Sequence, residues 1–469
     1  MQKKSDRSVF YAGAQKGKAL LVSAGLLFSL SACSGKRIIA EHEELRPLAL
    51  FVVTPRKQPL SLQKGFAPER PFHLGVRLSE SFLNRAMGEL LKAEIVPSTF
   101  DAPVQVTVPP FNSTLTLRPS VRALNPSFRL NPACAECVTL SAEFVGKFAV
   151  QLAADASSSA RSFEGTALKG GLTLQGRLLA TQTGGIPSIA VQLDPIADKD
   201  LRIEVQAPIP GIDMLVTAAV RAQLKETLKR PGYNTFALLS MKELVIPDSK
   251  LGVNEVVFRT VTAPERELQL GLNLNLNTPP EVRFDVFSRS LRKNDMAFSV
   301  GENTLTDMMK VWLAEDWLPS RFNTSGDPDP KGAITVDLRA FRLQETGYEA
   351  VTRFWYVGTP PFWREYTLNG TIGVRSEAIQ ISNQKAALTG GEGPNRLIDL
   401  ALLSQGVSLT KTLGAVGKKM PRQYGFPFGN PTKLEAQLSL EELQTEQHRM
   451  TSYHSVSWVP GTGSVSPAR

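Results

Sequence analysis

The stretch Leu268-Gln269-Leu270-Gly271-Leu272-Asn273-Leu274-Asn275-Leu276 places leucine at every second position without a break. A helix cannot gather such a set on one face, because its side chains repeat every 3.6 residues. A strand sends alternate side chains to opposite faces. The same alternation recurs over 138–152, 168–180, 189–193 and 201–205, and again over 334–343, 348–357, 366–374 and 378–381. Such repetition predicts antiparallel sheets with one face on a core and the other toward solvent. The expected fold class is α+β and β-rich.

Four segments break this pattern with helical spacing. The first follows Ser79, a suitable N-cap, and carries Phe82, Leu83, Ala86, Met87, Leu90 and Leu91 on one face. The second starts near Asp213 with Leu215, Val216, Ala219, Val220, Leu224 and Leu228. The third begins around Gly301 with Leu305, Met308, Met309, Trp312 and Leu313. The fourth follows Asn395 and runs through Leu397, Ile398, Leu402, Leu409 and Leu413, weakened at Gly406. Aligning Val76-Arg77-Leu78-Ser79-Glu80 with Phe298-Ser299-Val300-Gly301-Glu302 sets the first and third helices in register at an offset of 222. Each is a strand running into a helix with an acid in its first turn, where the helix dipole favours it. The pairing points to an internal duplication. We therefore expect two tandem β-rich halves with amphipathic helices, over 71–280 and 281–454. The helix starts are 134 positions apart in the first half and 94 in the second, so the first half must hold an insertion, placed within 100–162.

The N-terminus reads as an export signal. Lys3, Lys4, Arg7, Lys16 and Lys18 precede an apolar run from Ala19 to Leu30, followed by Leu30-Ser31-Ala32-Cys33. The run is shorter than the ~20 residues of a permanent membrane helix. Its ending resembles the bacterial lipobox, which implies cleavage of residues 1–32 and diacylglyceryl modification of Cys33. By resemblance to sorting in two-membrane bacteria, Ser34 favours the periplasmic face of the outer membrane; with one membrane, the anchor is the outer face of the plasma membrane. Residues 33–70, rich in proline and charge, read as anchor and tether, with an edge strand at 48–53. The Gly, Ser and Pro content of 455–469 reads as a disordered tail.

Charge adds little. Residues 1–32 hold five of the 53 Lys and Arg and one of the 44 Asp and Glu, so the exported body is mildly basic. It shows neither a dense basic block nor a nucleic-acid module, and no nucleic-acid partner is expected. Cys134 and Cys137, in a turn-like stretch before a strand, read as a local loop disulfide, since a thioredoxin-like pair wants a helix after it. His42, His73, His448 and His454 lack the companions of a metal site; His448 and His454 share a strand face by parity, with no third ligand. Ser408-Leu409-Thr410-Lys411 matches the Ser-x-x-Lys of penicillin-binding enzymes, but Lys411-Thr412 is followed by Leu413, not Gly. Thr389-Gly390-Gly391-Glu392-Gly393-Pro394 lacks the Lys and Ser/Thr of a phosphate loop and reads as a flexible connection. No nucleophile, base and oxyanion donors assemble, so no catalytic residue, metal or cofactor is assigned and no enzyme is expected. Phe354-Trp355-Tyr356, Phe362-Trp363 and Tyr366 flank Thr359-Pro360-Pro361. They read as a cross-strand aromatic ladder, with a glycan-stacking strip as the alternative.

Two β-rich halves, each with a helix entered from a strand and a second helix near its end, resemble the tubular lipid-binding superfamily of the bactericidal/permeability-increasing protein. The chain also resembles an uncharacterised family of bacterial lipoproteins suspected of that fold. The carriers are Leu30-Ser31-Ala32-Cys33, Val76 to Leu91, Asp213 to Leu228 and Phe298 to Leu313. The resemblance implies two tandem, strongly curved antiparallel sheets, each wrapping amphipathic helices, with an apolar groove for a phospholipid or other acyl ligand. The lining candidates are Phe82, Leu83, Met87, Leu90, Leu305, Met309 and Trp312. The alternative is a non-catalytic envelope scaffold with a protein or glycan partner, its interior filled by side chains.

Overall fold

The computed structural model describes residues 35–55, 60–93, 99–100, 104–108, 113–131, 134, 136–153, 161–183, 186–206, 212–230, 234–240, 249–262, 265–285, 291, 294–323, 327–345, 347–375, 378–393, 423–428, 434–446 and 448–460. The chain is β-rich with few helices, as its alternation requires. Among the described residues there are three sheets rather than the two expected.

The central sheet draws on both halves of the chain. It contains β1 (Ser61–Lys64), β2 (Leu74–Ser79), β11 (Val253–Val261), β12 (Glu267–Leu274), β13 (Met296–Gly301), β19 (Gln423–Phe428), β20 (Leu434–Glu446) and β21 (Arg449–Pro460). Their order is β1-β11-β12-β2-β13-β21-β20-β19, antiparallel except for the β1–β11 pair. A second sheet has β3 (Thr99–Phe100), β4 (Val104–Val108), β5 (Ser113–Leu130), β6 (Cys137–Ala153), β7 (Arg161–Thr183), β8 (Ile186–Leu193), β9 (Leu201–Val205) and β10 (Thr235–Ser240). Its order is β10-β8-β7-β6-β5-β3, with β4 on β5 and β9 on β7. The third is the meander β14 (Arg321–Phe322), β15 (Ile334–Gln344), β16 (Gly347–Tyr356), β17 (Phe362–Arg375) and β18 (Ala378–Glu392). The helices are α1 (35–50), α2 (Glu80–Lys92), α3 (Ile212–Thr227) and α4 (Glu302–Ala314).

The duplication read from the sequence has a geometric counterpart. Val76 lies directly opposite Phe298 in the β2–β13 pair, and these two residues are equivalent at the 222 offset. An approximate dyad therefore passes through that pair and exchanges β2 with β13. It also exchanges the β11–β12 hairpin with the β20–β21 hairpin: Ser79 faces Glu267, and its counterpart Gly301 faces Arg449. Hydrogen bonds follow the same rule. The Glu80 N–H donates to the Arg266 carbonyl at 3.0 Å, and the Glu302 N–H to the His448 carbonyl at 3.0 Å. The His73 and Asp295 N–H groups likewise donate to the Leu272 and His454 carbonyls. The fourth helix read from the sequence lies outside the described residues, so its match to α3 has no counterpart here.

The faces of the central sheet differ. Val76, Leu78, Val256, Phe258, Leu268 and Leu270 enter a core with α2. On the other face, the Arg77 guanidinium bonds the Glu267 carboxylate at 2.8–3.2 Å, Gln269 donates to Glu267, and Arg259 donates to Gln269 at 2.7 Å. A buried charge pair of this kind holds only with its remaining polar atoms satisfied, as this chain of bonds does. Part of that face is covered by Phe66, Phe72 and Phe284. Gly271 is required there: a Cβ would stand 2.5 Å from the Phe72 ring.

Two terminal expectations differ from what is observed. Residues 35–50, read as tether, are helical, and 48–53, read as an edge strand, form its end plus a bridge from Val53 to Leu276. Gly35 and Ile38, buried, and His42, Leu45 and Ala49, partly buried, supply the reason, since these positions share one helix face. Residues 455–460, read as disordered tail, belong to β21, where Val456 pairs with Leu438 and Trp458 with Ala436. Thr389–Glu392, read as a flexible connection, ends β18, and the bend at Gly393 has φ 104°.

Candidate functional site

The site builds outward from α2. Its start is fixed by the Ser79 hydroxyl, which accepts from the Phe82 N–H at 3.1 Å, with Glu80 in the first turn. The same carboxylate accepts the Leu130 N–H at 2.7 Å, and the Asn84 side chain accepts the Phe128 N–H at 2.7 Å. These bonds dock α2 on β5 beside the register shift between Leu124 and Ser127. Arg85 pairs with Asp295, whose other carboxylate oxygen accepts the Val456 N–H at 2.7 Å. The helix is thus held between the second sheet and the central sheet.

Its apolar face is fully used. Phe82, Leu83 and Met87 join one core with Phe128, Leu130, Val138, Leu178 and Ile189 of the second sheet and the apolar face of the central sheet. Leu83 is 0% exposed, Met87 and Leu90 1% and Phe82 3%, so these side chains are enclosed by their neighbours. Phe82 also stacks on Trp458 with ring centroids 6.1 Å apart. Around this core lies a rim of partly buried apolar side chains, including Leu60, Leu62, Leu140, Leu193, Phe236 and Val456. They belong to both sheets, and β1 lies against β7 and β8.

The α4 candidates part company from these. Met309 packs with Leu338, Tyr348, Ala350 and Leu368 of the third sheet, whereas Trp312 packs with Leu251, Leu274, Leu276 and Val311. Leu305 is 7% exposed. The seven candidates therefore do not line one common space. α3 has its own core, where Val216, Val220 and Leu224 meet Phe144, Phe148 and Leu168. A cleft of about 270 Å³ lies between α1, α4 and β15, lined by His42, Arg46, Lys310, Asp316, Arg321 and Asp337 among others. Charges of both signs make it unlike an acyl groove. Burial raises the Asp337 carboxyl above its ordinary value, against the pull of Arg339, Arg353 and Lys310.

The remaining sequence candidates fall as follows. Cys134 and Cys137 are disulfide-bonded, while Cys33 and Ser408 to Lys411 lie outside the described residues. The four histidines stand apart. His73 accepts the Leu274 N–H at Nδ1 and donates from Nε2 to the Thr278 carbonyl; His448 sits in the β20–β21 turn with φ 66°, and His454 is buried in β21. Among the described residues, no three His, Cys, Asp or Glu side chains are placed to hold a metal ion. The aromatic stretch does form a cross-strand ladder. Trp355 is 1% exposed and faces Trp363 across β16–β17, and the Arg353 guanidinium lies 3.9 Å from the Trp363 ring centroid. Sequence reading missed α1, whose His42 bonds Thr335 at 3.0 Å and meets the edge of Trp355. The available signal was the spacing of Ile38, His42, Leu45 and Ala49.

No family model matches the chain, and no curated relative matches it. Among solved structures, it is similar to a lipopolysaccharide binding protein, at 13% identity and TM-score 0.38 over 83% of this chain and 99% of that one. It is also similar to P47 of Clostridium botulinum E1, at 8% identity and TM-score 0.30 over 83% of this chain and 100% of that one. The architecture given above stands on its own strand pairings and not on these likenesses.

Proposed function

We propose that this chain is an envelope lipoprotein, anchored through acylated Cys33 at the periplasmic face of the outer membrane, that binds or transfers a lipid-like ligand. The observation that carries the reading is the set of partly buried apolar side chains from the central and second sheets that pack on the core around α2, represented by Leu62, Leu193 and Phe236. Accessible apolar surface bounded by two sheets is the kind of surface that takes up acyl chains, each buried methylene contributing about 0.8 kcal/mol. No chemical step belongs to this reading. The candidates on α2 act in it as the floor beneath the ligand and not as its contacts.

The test is mass spectrometry of lipids co-purifying with a soluble form lacking residues 1–33, beside a denatured sample and an unrelated periplasmic protein. Stoichiometric enrichment of an acyl species is expected, and several-fold less in Leu62→Glu with an unchanged circular dichroism spectrum. Extracts no richer than the controls would defeat the ligand reading. The alternative, a scaffold with its function on the surface, is favoured by one observation: Leu83, Met87 and Leu90 are completely packed. The anchor is tested separately, by the intact mass of the membrane-extracted chain against Cys33→Ser.

A further inference from the structure

The segment after the lipobox cysteine was expected to hold the body away from the bilayer on a loose chain. Instead the described residues 35–50 are helical and dock on the third sheet and α4 side of the body. At its first turn, Gly35 is buried so closely against Pro361 that a Cβ would meet the proline ring at 3.2 Å, and Arg37 pairs with Glu392. One turn on, Ile38 is 0% exposed. Midway, His42 meets Thr335 and Trp355, and near the end Arg46 pairs with Asp316 at 3.3 Å. The chain then enters the central sheet, where the Thr54 N–H donates to the Asn275 carbonyl at 2.8 Å and the Asn277 N–H to the Val52 carbonyl at 2.8 Å.

Cys33 precedes Gly35 by two peptide units, a reach of about 7 Å even when fully extended. Pro361 closes the β16–β17 turn, so an acyl chain on Cys33 brings the bilayer to that turn. What the turn presents is suited to the contact. Val357 is 37% exposed, Thr359 and Pro360 are exposed, and Tyr356 and Trp363 are partly exposed just behind them. No acidic side chain occurs between Val357 and Trp363, and Lys36 is exposed beside Arg37, whose charge is met by Glu392 and Glu41. Aromatic, proline and basic residues at one end match the interfacial layer of an anionic bilayer.

We propose that α1 is a rigid strut and that the β16–β17 turn, Val357 to Pro361, is a second membrane contact made beside the lipid anchor. This rests on the reading of Cys33 as acylated. The third sheet then stands on the bilayer, and α1, about 24 Å long, sets the distance from anchor to central sheet. A tether would instead let the body tumble.

The experiment uses the full acylated chain in phosphatidylethanolamine–phosphatidylglycerol vesicles, with an environment-sensitive fluorophore on Thr359→Cys. With Cys33 acylated and Cys134 bonded to Cys137, the introduced thiol is the one left to label. Spin-labelled lipids are expected to quench this probe several-fold more than a probe on Met214→Cys, an exposed position on α3. Inserting a 20-residue Gly-Ser linker between Ser34 and Gly35 is expected to remove most of that difference, because the linker lets the body leave the surface. Intact mass of the same sample reports the acylation. A chain without acyl groups would overturn the anchor reading and the strut with it. An acylated chain whose two probes are quenched alike, with or without the linker, would overturn the strut alone.

Discussion

His454 is 8% exposed in β21, bonded to the Ser452 hydroxyl at 3.0 Å and edge-on to Phe298 at 5.2 Å. Burial pushes its imidazole down to about 4, with only a small opposing pull from Glu441. The folded chain therefore keeps this ring neutral where the unfolded chain, with a pKa near 6.5, takes up a proton. Its contribution to stability is complete above 6.5 and is lost as pH falls from 6.5 toward 4, by up to about 3 kcal/mol. Asp337, raised by burial, works with the opposite sign, contributing at low pH and losing that contribution as pH rises through its folded value. The difference between wild type and His454→Phe isolates the histidine. Urea unfolding from pH 7.5 to 4.5 should show a steeper loss in the wild type, and equal slopes would rule this account out. At this scale the sequence was legible only in part. Parity put His448 and His454 on one strand face, but the β20–β21 turn falls at His448, and parity does not survive a reversal of the chain.

The elements that announced themselves did so through their ends. Ser79 and Glu80 mark the start of α2, and Glu302 marks α4, because a cap and an acid are local devices acting within one turn. α1 has a weaker signature. Its inward stripe includes a glycine and a partly buried histidine, and Pro47 interrupts its exposed side, so its helical signal was diluted. Its packing is nonetheless that of a core element. Ile38→Ala is expected to cost about 2–5 kcal/mol if the site cannot collapse around the gap. The loss should appear locally as faster amide exchange in β16 and β17 and as easier quenching of tryptophan fluorescence, since α1 covers Trp355. Exchange unchanged in those strands would mean that α1 rests on the third sheet without supporting it. The α2 and α4 candidates show the converse limit. Phe82, Met309 and Trp312 were legible as inward apolar positions, but not as packing against three separate cores. Which sheet lies opposite a helix is settled by pairings far away in sequence.

The dyad governs the molecule as a whole. Its trace was legible in the 222 offset, because a repeated strand-to-helix unit repeats its cap and apolar spacing. The merging of both halves into one sheet was not legible, since alternation fixes which face a strand buries and is silent about its neighbour. The β2–β13 pair is the seam. A fragment of residues 60–285 would leave β2 with an open edge of unpaired N–H and C=O groups. Because Val76 and Phe298 sit on the dyad, a second fragment can supply its own β2 in the place of β13, with Val76 opposite Val76. Light scattering should therefore show the fragment as a dimer, which Val76→Pro should reduce to monomer or aggregate. A folded monomer would mean that the halves are independent and the seam incidental.

The route of the chain through α1 also has a mechanical meaning. Tension applied at Cys33 enters at Gly35, runs along the helix axis and reaches the central sheet at Val53 and Thr54. A helix held by side chains peels turn by turn, whereas the backbone bonds around the Val53–Leu276 bridge are loaded together. The helix yields first, paying out roughly 30 Å as its 16 residues pass from 1.5 Å to about 3.5 Å each. With the proposed anchor at Cys33, α1 would act as a mechanical fuse, lengthening the molecule under a sharp pull before the load reaches the central sheet.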